Sequence, residues 1–156
     1  MADFKKRLAE DLEKEKEAAA VSKHRGQIAE GILKELKLEL PELLVNAELD
    51  KIVAQMQDDM EKQGQDFDEY LKKEGKNKEE FRETYREEGE NRAKIEVVLK
   101  EIFKAEKLKV DKKEMLKQVE GIAKAYGEEN LENVKLYVEN TMMNDETMKY
   151  LEGLSK

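Results

Sequence analysis

Cysteine and tryptophan are absent, and proline and histidine occur once each. Without cysteine there is no disulfide framework, no thiolate metal site and no thiol nucleophile, a composition that suits a reducing compartment. Serine is confined to Ser22 and Ser155. Ser22 stands two positions from the lone His24, and on a helix only residues three or four apart face one another, so there is no basis for a hydrolytic triad. His24 lies between Lys23 and Arg25, whose charges disfavour both an imidazolium and a bound metal, and it reads as a surface residue. The eight glycines are scattered singly and form no phosphate cradle. No apolar run approaches the roughly 18 residues of a membrane span. The start, Met1-Ala2-Asp3-Phe4, has no apolar signal segment, so the expected location is cytoplasmic. From Phe4 onward the sequence reads as the interior of a helix, an opening that a piece of a longer chain would have.

Charge is what the chain has in abundance. Of 156 residues 44% are charged, and 38 acidic against 30 basic side chains leave a net charge of −8. Such a composition approaches that of disordered chains, yet the Leu, Ile, Val and Phe content suffices for a thin core. The expected class is all-α, with one buried stripe on each helix and broad solvated faces. Carboxylates alternate with lysines, as Glu13, Glu15 and Glu17 do with Lys14 and Lys16, which marks a solvated helix face rather than an acid/base pair. Nucleic acid is a poor partner: the net charge is negative, basic residues are interleaved with acids, and aromatics do not cluster with Arg or Lys. No catalytic, cofactor-binding or metal-ligating constellation is expected.

The apolar spacing lays out the elements in order. Phe4, Leu8, Leu12, Ala19, Ile28, Ile32 and Leu36 predict one long helix, narrow and heavily charged in its front half and only half covered. Alternation in Leu36-Lys37-Leu38-Glu39-Leu40 predicts an extended link, and Pro41 suits the first turn of a second helix. That helix carries Val45, Leu49, Ile52, Val53, Met56 and Met60 and ends by Gly64. A short amphipathic piece from Asp66 to Leu71 closes at Gly75. Asn77-Lys78-Glu79-Glu80 has capping-box form and opens a long helix through Phe81, Tyr85, Ile95 and Leu99 to Phe103, weakened by Gly89 and a polar middle that suggest a hinge or exposed stretch. Asp111-Lys112-Lys113-Glu114 repeats the box before Met115 to Tyr126, with Gly127 as the stop. Leu131, Val134, Tyr137 and Val138 begin a further stripe, and Met142, Met143, Met148, Tyr150, Leu151 and Leu154 follow.

The order of these segments is similar to a known family. The run Glu39-Leu40-Pro41-Glu42-Leu43-Leu44-Val45-Asn46-Ala47-Glu48-Leu49-Asp50 resembles the pattern that opens an arm of bacterial trigger factor, a ribosome-associated folding chaperone. Gly64, Tyr70, Leu71, Gly75, Lys76, Glu79, Glu80 and Arg82 continue that pattern in register, and residues 97–115 and 121–127 look like the next helices. The charged opening resembles the helix that follows the family's prolyl-isomerase domain. The family's ribosome-docking loop, Gly-Phe-Arg-x-Gly-Lys, and its isomerase domain have no counterpart in this sequence.

The resemblance implies the carboxy-terminal domain alone: an elongated all-α body in which a long helix and link (about 1–40) lead to a first arm (41–103) and a second arm with the C-terminal helix (104–156), forming a cradle. It implies ATP-independent holding of unfolded or nascent polypeptides, no isomerase reaction, and ribosome contact only through domains outside this chain. Residues expected to line the client surface are Leu44, Met56, Met60, Phe81, Tyr85, Met142, Met143 and Leu151, each of which serves equally well as core. The methionines among them are unbranched and polarizable and adapt to varied ligands. The alternative is a helical adaptor whose stripes pair with a fixed partner or a second copy.

Overall fold

The computed structural model describes residues 2–126 and 131–154, with side chains described at 7, 11–124 and 131–154. Over these residues the chain forms seven α-helices and no strand: α1 (Ala2–Glu35), α2 (Glu42–Lys62), α3 (Phe67–Glu74), α4 (Lys78–Thr84), α5 (Arg86–Ala105), α6 (Lys112–Tyr126) and α7 (Leu131–Leu154). The all-α expectation holds. Two compact units result, one of Leu36–Val98 and the other of Met1–Glu35 with Leu99–Lys156. The stop expected at Gly127 lies outside the described residues, as do the side chains of Phe4, Leu8 and Tyr126.

Local chemistry explains most helix ends. Pro41 occupies the N-cap of α2 rather than its first turn: its ψ of 136° is extended, and its carbonyl accepts from the Leu44 N–H at 2.9 Å. The helix stops at Gln63, and Gly64 and Gly75 take φ of +72° and +66°, a left-handed turn that glycine adopts without a Cβ clash. Asp66 caps α3 by accepting from the Glu69 N–H at 2.8 Å. The Asn77 box is complete: Asn77 Oδ1 accepts from the Glu80 N–H at 2.8 Å, and the Glu80 carboxylate accepts from the Asn77 N–H at 3.0 Å. At α6 the Asp111 carboxylate accepts from the Lys113 and Glu114 N–H groups, while Glu114 lies 3.6 Å from Lys117.

Two departures from the sequence pattern matter for packing. The long helix expected from Asn77 to Phe103 is broken at Tyr85, whose N–H donates to the Arg82 carbonyl three residues back at 3.0 Å before α5 resumes. The break separates two tasks: Phe81 on α4 turns into an aromatic cluster, and Gly89 on α5 meets α2. Gly89 and Ala93 are buried while Glu87, Glu88 and Arg92 are exposed, so the polar middle is a helix crossing on one face and an exposed stretch on the other. A Cβ at Gly89 would lie 2.9 Å from Cγ and Cδ2 of Leu49, itself fully buried, so the crossing depends on the missing side chain. The second departure is Lys107, which takes the left-handed position after α5 at φ 54° with Leu108 N–H donating to the Phe103 carbonyl at 3.0 Å. This is the helix-ending turn usually given to glycine.

In the second unit α7 packs most extensively on α6 and also on α1. From 11 to 23 every side chain of α1 is exposed, including Leu12 and Val21, as the dense charge of that stretch predicts. From His24 onward the helix is half-buried on one face, through Ile28, Ile32 and Leu33.

Candidate functional site

In the Leu36–Val98 unit, the core is aromatic. Val53, Phe67, Leu71 and Phe81 are buried together, with Met56, Met60, Tyr70 and Tyr85 packed around them. Phe81 lies edge-on to Phe67 at 5.4 Å and to Tyr70 at 6.1 Å, and Tyr85 tilts against it at 5.1 Å. Such edge-to-face contacts add to the area they bury. Charged clamps surround this core: the Arg86 guanidinium reaches both oxygens of Glu42 at 2.6 and 2.7 Å, and Arg82 holds Asp50 at 2.9 Å and the Asn46 carbonyl at 3.0 Å. These clamps tie α2 to α4 and to the start of α5.

Glu48 is the unusual charge of this unit, only 8% exposed on α2. It receives a hydrogen bond from Lys51, which also lies 3.4 Å from Glu96 on α5. Burial pushes the Glu48 carboxyl above its ordinary range, with Glu96 adding to the shift and Lys51 opposing it. For Lys51, burial is outweighed by the Glu48 hydrogen bond and the charge of Glu96, so its ammonium is held more firmly. The two partners therefore respond differently. The exposed lysine gains from the contact, while the enclosed carboxylate loses more in hydration than one lysine returns. A group whose folded pKa is raised contributes stability that is complete below its unfolded pKa and is lost as pH rises through the folded value. Glu48→Gln is accordingly expected to match the parent chain near pH 4 and to exceed it in urea stability at pH 7, by up to about 1 kcal/mol. Urea titrations at the two pH values check this.

The sequence-predicted client residues fall into different environments here. Phe81, 3% exposed, is core and presents no surface, because α4 lays it between Phe67 and Tyr85. Met56, Met60 and Tyr85 are half-buried at the cluster's margin. Leu44 is exposed, and the neighbouring Leu43, which is outside the predicted set, is 78% exposed. Its signal is present in the sequence: two consecutive leucines on a helix cannot both face one core.

In the second unit, Arg25 ties α1 to α7 by ion pairs to Asp145 at 2.7 Å and Glu152 at 2.8 Å. The Glu152 hydrogen bond is the largest influence holding the Arg25 guanidinium charged, and Lys149 and Arg25 together hold the Asp145 carboxyl below its usual range. Beside this clasp lies an open groove of about 740 Å³, with walls from α1, the end of α5, the 106–111 link, α6 and α7. Met142 lines it, whereas Met143, 9% exposed, is turned into the core with Val138 and Thr147. Leu151 is half-buried. Leu116 on α6 and Leu136 and Tyr137 on α7 stand exposed and are outside the predicted set. Met143→Ser is expected to cost about 2–3 kcal/mol of stability and Met142→Ser less than about 1 kcal/mol, because only the first leaves an enclosed cavity. Thermal and urea unfolding followed by circular dichroism separates the two.

Among the described residues there is no group of three or more His, Asp or Glu side chains able to hold a metal, and no helix is long and apolar enough to cross a membrane. What fold and surface define is a helical domain of charged amphipathic elements that leaves large apolar side chains exposed. Residues 1–152 match the family described as bacterial trigger factor protein (TF) C-terminus, and the chain belongs to that family. It is 34% identical over 139 residues to a trigger factor of Halothermothrix orenii, covering 89% of this chain and 32% of the relative. It is 30% identical over 125 residues to one of Bacillus cereus (80% and 29%), and 27% identical over 161 residues to one of Clostridium kluyveri (96% and 37%). The chain thus spans about a third of the length of these relatives. No solved structure matches it.

Proposed function

We propose that this chain is the client-holding part of a cytoplasmic chaperone, binding unfolded or nascent polypeptides without ATP and catalysing no reaction itself. The observation that carries this reading is the exposure of Leu43, Leu44, Leu116, Leu136 and Tyr137 on otherwise charged helices of a trigger factor C-terminal chain. Each exposed side chain offers at most about 1.5–3 kcal/mol when fully covered, and less in a shallow contact. Several weak contacts hold a client while allowing rapid release, and the surrounding charge keeps the complex dispersed.

Residues 41–103 and 104–156 act in this reading as two arms, each with its own apolar contacts. Leu44, Met56, Met60, Tyr85, Met142 and Leu151 serve as client contacts, joined by Leu43, Leu136 and Tyr137, while Phe81 and Met143 hold the frame. Ribosome contact belongs to segments outside this chain.

Aggregation of several unrelated denatured proteins, followed by light scattering, tests the reading. Near-stoichiometric protection of several of them is expected. Protection of none would reject holding and leave an adaptor with a fixed partner. Pairing Leu43→Ser with Leu44→Ser, or Leu136→Ser with Tyr137→Ser, should weaken protection severalfold while helicity stays unchanged.

A further inference from the structure

We propose that residues 11–23 of α1 form a latched lever: the Arg25 clasp to α7 holds them in one direction, and its release lets them swing about Gly26 relative to the α6–α7 pair. The device lies within one compact unit and does not depend on the holding reading. At the helical rise of 1.5 Å per residue this exposed stretch is about 20 Å long, so a small rotation at its base becomes a large displacement at its end.

The contacts of α1 differ in kind from those between its neighbours. Helices α6 and α7 pack on one another and bury Val119, Ala123, Val138 and Met143. No described side chain of α1 is buried, and Ile28, Ile32 and Leu33 are only half-covered. What aligns α1 at the base of its exposed stretch is polar. Asp145 and Glu152 are seven residues apart, two turns of α7, and so share one face. The Arg25 guanidinium spans them, donating from Nη1 to Asp145 at 2.7 Å and from Nε to Glu152 at 2.8 Å, which fixes both the position and the rotation of α1 there. The next residue is Gly26, where a Cβ would meet nothing within 4 Å. Packing therefore does not require a glycine at 26, and its effect is on the backbone, which bends more easily just behind the clasp. The latch opens without stranding a charge. Asp145 keeps Lys149 at 2.8 Å, and the side chains of the clasp are already 23–41% exposed. Pairs this open to solvent are screened by salt, so ionic strength is a second way to release the lever.

The chain has no cysteine, so paired spin labels can be placed on the full chain without background. Glu17→Cys on α1 with Glu139→Cys on α7, both exposed, form the reporting pair, and Lys117→Cys on α6 with Glu139→Cys forms the control. Dipolar distance distributions are recorded for both. The parent reporting pair is expected to give one dominant distance. Arg25→Met should raise the ratio of displaced to docked populations at least about fivefold, the fold-change for a half-exposed ion pair at the upper end of its range. Salt at about 1 M should do the same to the parent chain and add little to the variant. Asp145→Asn with Glu152→Gln should match Arg25→Met, and combining all three should add nothing further, because they remove one interaction. Gly26→Ala on the Arg25→Met background should narrow the displaced population, since it stiffens the hinge. A reporting pair unmoved by Arg25→Met, or already as broad in the parent chain, overturns the proposal, as does a displaced population of equal breadth with Gly26→Ala. Broadening of the control pair alongside also overturns it, because the clasp would then support the whole unit rather than latch one helix.

Discussion

Phe81→Ala is expected to lower the stability of the Leu36–Val98 unit by about 3–5 kcal/mol, the range for deleting a buried aromatic ring. The ring is 3% exposed and sits at the centre of the cluster, with Phe67, Tyr70 and Tyr85 around it at centroid distances of 5.1–6.1 Å. These three rings come from α3 and from the α4–α5 break, so losing Phe81 removes the common surface on which the elements meet. Urea unfolding by far-ultraviolet circular dichroism gives the stability change. The near-ultraviolet tyrosine signal reports loss of ring packing without interference, because the chain has no tryptophan. A change below about 1 kcal/mol accompanied by lost client protection would return Phe81 to the binding surface.

Leu49→Ala is expected to cost about 2–5 kcal/mol, and Gly89→Ala about 1–2 kcal/mol, for opposite reasons. The first empties the crossing of α2 and α5. The second overfills it, since a Cβ at Gly89 falls 2.9 Å from two carbons of a leucine that is 0% exposed and has no free space to enter. Better helix propensity returns part of that second loss, on the order of 0.5–1 kcal/mol. Combined, the two changes should be less damaging than their sum by about 1 kcal/mol or more, because the methyl group added on α5 enters space that the shortened Leu49 side chain vacates. Additive losses in a double-mutant cycle would show that the crossing does not couple the two positions.

These two sites illustrate how far the sequence could be read. The stripe from Val45 to Met60 marked the buried face of α2, including Leu49, and the Asn77 box and Gly75 cap lie where local rules place them. Gly89 read as a weakness, because a glycine in a polar helical stretch lowers propensity and nothing nearby reveals the leucine 40 positions earlier that requires it. The break at Tyr85 was equally hidden: its neighbours favour helix, and only the packing of Phe81 into the aromatic cluster and of Gly89 against Leu49 distinguishes α4 from α5. Among the eight predicted client residues, spacing could place Phe81 and Met143 on apolar stripes but could not say that those stripes face inward.

What the sequence by itself determined is the all-α class, the main helix ends set by proline, glycine and capping residues, and the family. These depend on interactions within a few residues, or on the order of segments, both of which are written along the chain. Only the tertiary structure decided which apolar residues are enclosed and which are left to solvent, where a carboxylate such as Glu48 is stripped of water, and which carboxylates of α7 the Arg25 guanidinium on α1 holds. Those outcomes depend on which helix faces meet, and in a chain with 44% charged residues and a thin core, many alternative faces share nearly the same apolar pattern.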